Sequence, residues 1–275
     1  MNPMIEKLRK LIAHERSARS IGNLLEAEAF AAKIQDLLTA HKLEMSEVDF
    51  QEREKAEPVG WEPVDGTAMR GRSKKSHIFW RMLLANTVAE VNGCIMVCDD
   101  IDDRVIYFVG RTSDRALTKM LYVYLVELGE ELCFRSALEQ RTAQFKQFAD
   151  LNHLTMPPEV LLCLPRFAKA FSKWMKNYRD SWKVGFADAV ANRLKVRYAE
   201  TIAAHQTAGA IIHIKKDALA AREFLAGKTK HGGTVQASLR NEDGLRAGKH
   251  TGEAVNLSPH TFAGATGRAS RLLGS

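Results

Sequence analysis

Apolar residues recur at three- and four-residue steps along most of this chain, and at two-residue steps in only two short places. Ile5, Leu8, Leu11 and Ile12 form one helical stripe, and Ala27, Phe30, Ala31, Ile34, Leu37, Leu38 and His41 form a second. Asn23 stands where it can cap the second helix, and Glu26 and Glu28 lie near that helix's positive end. The pattern predicts a helical hairpin over 1–48, in which the small Ala27 and Ala31 let the helices approach. A two-helix unit of this size leaves one apolar side open, so it has to dock on the rest of the protein or on a partner.

Residues 49–75 are polar and broken by Pro58, Gly60, Pro63 and Gly66, the composition of a linker, and Trp61 within them is expected to pin to a neighbouring unit. A larger unit over 76–257 opens with a helix carrying Phe79, Met82, Leu83 and Val88. Two alternating runs, CIMVC and RVIYFVG, flank the acidic turn DDIDD and predict a β-hairpin. In GRTSD, Gly110 ends the strand, and Thr112 or Ser113 is placed to cap a long helix beginning near Asp114. Pro157 and Pro158 break the next junction, and 159–205 is helical in pattern throughout. AIIHI predicts a short strand, KKDALAAREFLAG a short helix closed by Gly227, and 228–249 a basic loop punctuated by glycine. Residues 258–275 read as a flexible tail. The fold class expected is α+β and predominantly helical: an N-terminal helical hairpin plus a larger helical domain containing a small β-hairpin.

With 275 residues, 45% of them hydrophobic, the chain can bury a substantial core, and no run is long and apolar enough for a membrane span. MNPMIEKLRK lacks the apolar region of a signal peptide, so the expected compartment is the cytoplasm, with no membrane partner. Cys94, Cys98, Cys133 and Cys163 fall in apolar contexts and are expected to be reduced core thiols. The formal net charge of +7 changes the picture more, because a cationic field of this size favours nucleic acid first and an acidic protein partner second.

Trp174, Tyr178, Trp182 and Phe186 recur at fours on one helix face, between Lys173, Lys176, Arg179 and Lys183. Helical spacing is what burial requires, so the aromatics are expected in the core, in preference to a base-stacking platform, while the cations form an outward face. GLRAGKHTG has only three residues between Gly244 and Gly248, and His250 where a P-loop needs Ser or Thr, which excludes an NTPase. Two readings remain for it: a phosphate-holding segment built on Arg246, Lys249 and His250, or a loop or helix packed closely through its glycines. Asp99, Asp100, Asp102 and Asp103 suit a solvated turn and lack the glycine and distal glutamate of an EF-hand. No zinc-protease, nucleophile-elbow or dinucleotide motif occurs, and no cofactor is expected.

EAEAFAAKIQDLLTAHKL, preceded by IEKLRKLI, resembles the N-terminal helical hairpin of a family of bacterial and phage proteins whose second helix follows roughly E-A-x-x-A-x-x-K-A-x-x-L-L-x-x-H-x-L. Glu26, Ala27, Lys33, Leu37, Leu38, His41 and Leu43 match; Phe30 and Ile34 replace small residues, and Lys42 stands where glycine is common. FVGRTSD and LRAGKHTGEAVNL look like parts of the domain that follows this hairpin in phage members. No activity is assigned to the family, and the resemblance implies DNA transactions or interference with a host protein. The expected function is a non-enzymatic accessory protein that binds nucleic acid, DNA in preference to RNA, through Lys173, Lys176, Arg179, Lys183, Lys228, Lys230, Arg246, Lys249 and His250. The alternatives are an interaction module that inhibits or redirects a host enzyme through the hairpin, and a divalent-metal phosphodiesterase using the acidic turn.

Overall fold

The computed structural model describes residues 10, 11, 13, 14, 17, 18, 57–64, 76–98, 105–204, 208–228 and 241–255. The acidic turn, Lys230, the tail and most of the predicted hairpin lie outside them. The described residues of 10–18 are helical, and Leu11 packs against the main core.

In chain order the elements are β1 (Gly60–Pro63), α1 (Ser76–Val91), β2 (Ile95–Cys98), β3 (Ile106–Gly110), α2 (Thr112–Glu139), α3 (Arg141–Leu151), α4 (Pro158–Cys163), α5 (Pro165–Ala204), α6 (Ala208–Leu225) and α7 (Glu242–Ala254). The predominantly helical α+β class is as expected. The predicted β-hairpin is present, with Ile95 opposite Val109 and Cys98 opposite Ile106. Residues 60–63, expected as linker, add a third antiparallel strand, giving the order β1-β3-β2. Trp61 is about half exposed, at 52%, yet its ring meets Phe224 and Tyr107.

Side chains alternate across β3 and divide the interior. Ile106 and Phe108 enter the main core with Trp80, Leu84 and Val88 of α1, Leu117, Leu121 and Leu125 of α2, and Tyr178, Trp182 and Phe186 of α5. Val109 faces the other way, onto Ala221 and Leu225 of α6. A satellite core of Phe145, Phe148, Leu161 and Phe171 joins α3 and α4 to the first turns of α5. Leu164 between α4 and α5 is extended, as the residue before a proline tends to be, and Pro165 then starts α5 at a position where its missing N–H costs nothing.

Four expectations change. AIIHI lies inside α6, where the alanine-rich sequence on both sides carries the helix through its β-branched residues. Neither Thr112 nor Ser113 caps α2; Arg111 is the N-cap residue and makes no side-chain cap. Its guanidinium instead donates to Asp217 of α6 at 2.6 Å and to the Glu57 carbonyl at 3.0 Å, both side chains of the ion pair being buried, while Ser113 donates to the Glu57 carboxylate. Of the four free cysteines, Cys94 and Cys133 are core thiols, Cys98 is half-buried and Cys163 exposed.

The fourth change concerns 242–249, expected as part of a loop and found as helix α7. Gly244, Gly248 and Gly252 recur at the helical interval of four and face α5. A Cβ on Gly244 or Gly248 would fall inside the van der Waals shell of the Tyr178 or Trp182 carbonyl oxygen, and one on Gly252 would lie 2.8 Å from that of Phe186. Gly185 of α5 returns the contact against the Leu245 carbonyl. These pairs advance together along both chains, so α5 and α7 run parallel in a fixed register, backbone against backbone. The ends of α7 are also held. Asn241 accepts from the Gly244 N–H at 2.7 Å as N-cap and donates to Gln144 of α3, and Arg193 of α5 donates to the Gly252 and Val255 carbonyls at the C-terminus.

Two stability measurements follow. In an isolated helix Gly248→Ala would stabilise by about 1 kcal/mol; here the methyl meets the Trp182 backbone, and we expect urea denaturation to show a loss of about 1–3 kcal/mol or more. Asp217→Ala leaves the buried Arg111 without this carboxylate, and the same assay should give a loss of about 3–5 kcal/mol.

Candidate nucleic-acid interface

The aromatic stripe of α5 is core: Tyr178, Trp182 and Phe186 are buried, Trp182 and Phe186 stack at 5.3 Å, and Trp174 donates to Gln144 at 2.9 Å while packing on Phe148. The base-stacking alternative therefore has no exposed ring on this face.

The cations expected around that stripe part company. Lys183 is 9% exposed, and its ammonium donates to Glu130 and lies 5.5 Å from the Trp80 ring centroid, with Arg81 donating to the same carboxylate at 2.9 Å. It is a core cation and not a phosphate ligand, because its position on α5 points it at α2. Burial opposes ionisation of Glu130, but the hydrogen bonds and charges of Lys183 and Arg81 outweigh it and hold the carboxyl below its ordinary 4.5. Burial also pushes the nearby Cys133 thiol up to about 12, which leaves it protonated and without nucleophilic character at neutral pH.

Lys173 and Arg179 are exposed, and Lys176 is part-exposed and paired with Asp180 at 2.6 Å. Upstream of them the sequence reading missed Arg166 and Lys169, both exposed. Positions 166, 169, 173 and 176 are separated by three, four and three, so at about 100° per residue all four cations fall on one face of α5. That spacing is visible in the sequence, upstream of the aromatic positions 174–186 between which the expected cations lie. Residues 165–179 contain five cations and no carboxylate. The stripe is about 15 Å long at 1.5 Å per residue. It ends before α7 begins, since Gly244 sits against Tyr178.

The remaining candidates lie elsewhere. Lys228 is exposed, with its ammonium 3.4 Å from the centroid of the Phe224 ring. Lys249 is exposed on α7. Arg246 and His250, one turn apart, line a cleft of about 810 Å³ between α3 and α7, with Tyr178 at its floor. There Lys146, Arg246 and His250 meet Glu139, Asp150 and Asp243, so the lining is close to neutral and does not concentrate phosphate. Asp243 also accepts from Gln147 at 2.9 Å, which ties the cleft to the cap of α7. The phosphate-loop reading of the glycines gives way to the close-packed helix, because their Cα side is packed on the carbonyls of α5, and the Gly244 N–H is taken by Asn241.

Among the described residues no group of three or more His, Cys, Asp or Glu is placed to hold a metal, and no helix is long and apolar enough to cross a membrane. No protein-family model, curated protein or solved structure matches the chain.

Since Glu130 has a lower value folded than unfolded, the stability it contributes is fully present above 4.5 and disappears as pH falls through the folded value. Glu130→Gln should therefore be less stable than wild type at neutral pH, with the urea midpoints converging in acid; a constant gap would show that ionisation plays no part.

Proposed function

We propose that this protein binds the phosphate backbone of nucleic acid through the first half of α5, with Arg166, Lys169, Lys173 and Lys176 as the contacts. The observation that carries the reading is the one-faced row of the exposed Arg166, Lys169 and Lys173, continued by the part-exposed Lys176, whose partner Asp180 is the first acid after a segment of fifteen residues, 165–179, that has none.

Helix physics strengthens it. Arg166 stands in the first turn of a 40-residue helix that has no acidic residue there, where the macrodipole is already positive. Cations in this position cost the helix a few tenths of a kcal/mol up to about 1 kcal/mol each. In return they add to the dipole, and the combined field attracts an anion more strongly than either source alone. Duplex DNA offers one negative charge per about 1.7 Å of axis, so a row about 15 Å long meets several phosphates at once.

The binding is independent of sequence, since the neighbouring aromatics are committed to the core and the row carries only charge. An accessory role among DNA transactions, the implication of the resemblance in residues 26–43, is consistent with affinity of this kind. DNA is the expected polymer. The chemistry required of the protein is positioning, with no catalytic step.

Fluorescence anisotropy of labelled duplex and single-stranded DNA between about 50 and 200 mM salt tests the proposal. Wild type should bind with a steep salt slope, and Arg166→Ala/Lys169→Ala/Lys173→Ala should weaken binding on every sequence alike and lower the slope by about 2–3. Unaltered affinity and slope in the triple variant would remove the row from the interface.

A further inference from the structure

Beside the cationic row, and facing away from it, the surface between α2 and α5 carries a second feature. Phe134 and Leu138, four residues apart on α2, are 66% and 62% exposed. They are the first- and joint second-most exposed of the large hydrophobic side chains among the described residues. They overhang a groove of about 230 Å³ whose floor includes Phe171 and Met175 of α5 and whose margin carries Arg141 and Arg179. Phe171 is also the hub of the satellite core, so the groove opens directly onto packed aromatic surface.

From these observations we infer that the groove is the docking site for an acidic peptide segment of a partner protein that inserts one aromatic side chain between α2 and α5. A cavity of about 150 Å³ already accommodates a benzene ring, so this one has room for a phenyl or phenol group. Aromatic anchors in a desolvated pocket are what dominate interfaces of this kind.

The margin specifies the charge of the occupant. Arg141 and Arg179 are both exposed, and neither is engaged by a carboxylate among the described residues. Of the acids nearby, Glu131 pairs with Arg135, Asp180 pairs with Lys176, and Glu139 lines the cleft between α3 and α7. Two guanidinium forks beside an apolar slot match carboxylates flanking an apolar side chain. A second copy of this chain fits poorly, because a two-fold contact would set these arginines against themselves. The tail over 258–275 has Arg268 and Arg271 and no Asp or Glu, so it too meets the margin with like charge.

The site is separate from the cationic row. Helical spacing places Phe171, Met175 and Arg179 on one flank of α5 and Arg166, Lys169 and Lys173 on another. The two surfaces can therefore be disabled one at a time.

The test is anisotropy of a fluorescein-labelled peptide of glutamates and glycines with one central phenylalanine, titrated with the full chain. Wild type should bind it, and should bind the same peptide with alanine at the centre, or with lysines for glutamates, at least about tenfold more weakly. Leu138→Asp and Arg141→Glu/Arg179→Glu should lose the binding with unfolding temperatures unchanged, all three side chains being exposed. The Arg166→Ala/Lys169→Ala/Lys173→Ala variant should keep it, which separates this outcome from failure of the nucleic-acid reading. Equal affinity for the phenylalanine and alanine peptides, or no binding, would overturn the proposal. So would a dimer in sedimentation that Leu138→Asp dissolves, which assigns the groove to a second copy. Binding that emerges only after Phe50→Ala would likewise overturn it, by assigning the groove to the chain's own acidic stretch EMSEVDF.

Discussion

The backbone contact between α5 and α7 is the constraint on which the arrangement of the site depends. Side chains usually keep packed helices 8–10 Å apart. Here glycines on both helices remove that spacing, and carbonyl oxygens of α5 fill the space that a methyl group would take. Such a contact has one register, because the glycines come every fourth residue and match Tyr178, Trp182 and Phe186 in turn. The same three aromatics send their side chains into the main core. A shift of α7 along α5 would therefore bring a Cβ against a carbonyl, and the caps from Asn241 and Arg193 would lose their partners.

That register also decides what the charges do. Holding α7 against the middle of α5 leaves the first turns of α5 to the satellite core alone, with one flank free for Arg166, Lys169 and Lys173, and Lys176 paired with Asp180 at its end. Along α7 itself Arg246, Lys249 and His250 are accompanied by Glu242, Asp243 and Glu253, so this helix contributes little net field. The cations of the interior are used locally: Lys183 and Arg81 share Glu130, and Arg111 is matched by Asp217. The excess charge of the whole chain is thus not spread evenly, and part of it is concentrated on one short helical flank.

Several elements were legible in the chain because local signals agreed with one another. The strands at 95–98 and 106–110 are short apolar runs bounded by turn residues, and the helix from 76 is present, although it buries Trp80 and Leu84 with Val88 and leaves the expected Phe79, Met82 and Leu83 partly buried. The aromatic positions of α5 were readable as core for the same reason: spacing by fours has a geometric meaning whatever lies opposite. AIIHI misled because β-branched residues favour strands only when a neighbouring strand is there to pair with, and the surrounding alanines favour helix. The cap of α2 misled because a hydroxyl can serve a cap or a distant carboxylate equally well, and Ser113 serves Glu57.

By itself, then, the sequence determined the periodicities, the helical class, the paired strands, the aromatic core of α5 and an excess of positive charge, since each depends on residues close together in the chain. Tertiary structure alone decided which cations face water. Lys173 and Lys183 are alike in the sequence, each a lysine beside an aromatic on one helix, and they differ only in whether α2 lies opposite. It also decided the meaning of the glycines at 244, 248 and 252: a spacing of four is compatible with a loop or a helix, and only the carbonyls of α5, sixty-six residues away in the chain, make glycine the residue that fits.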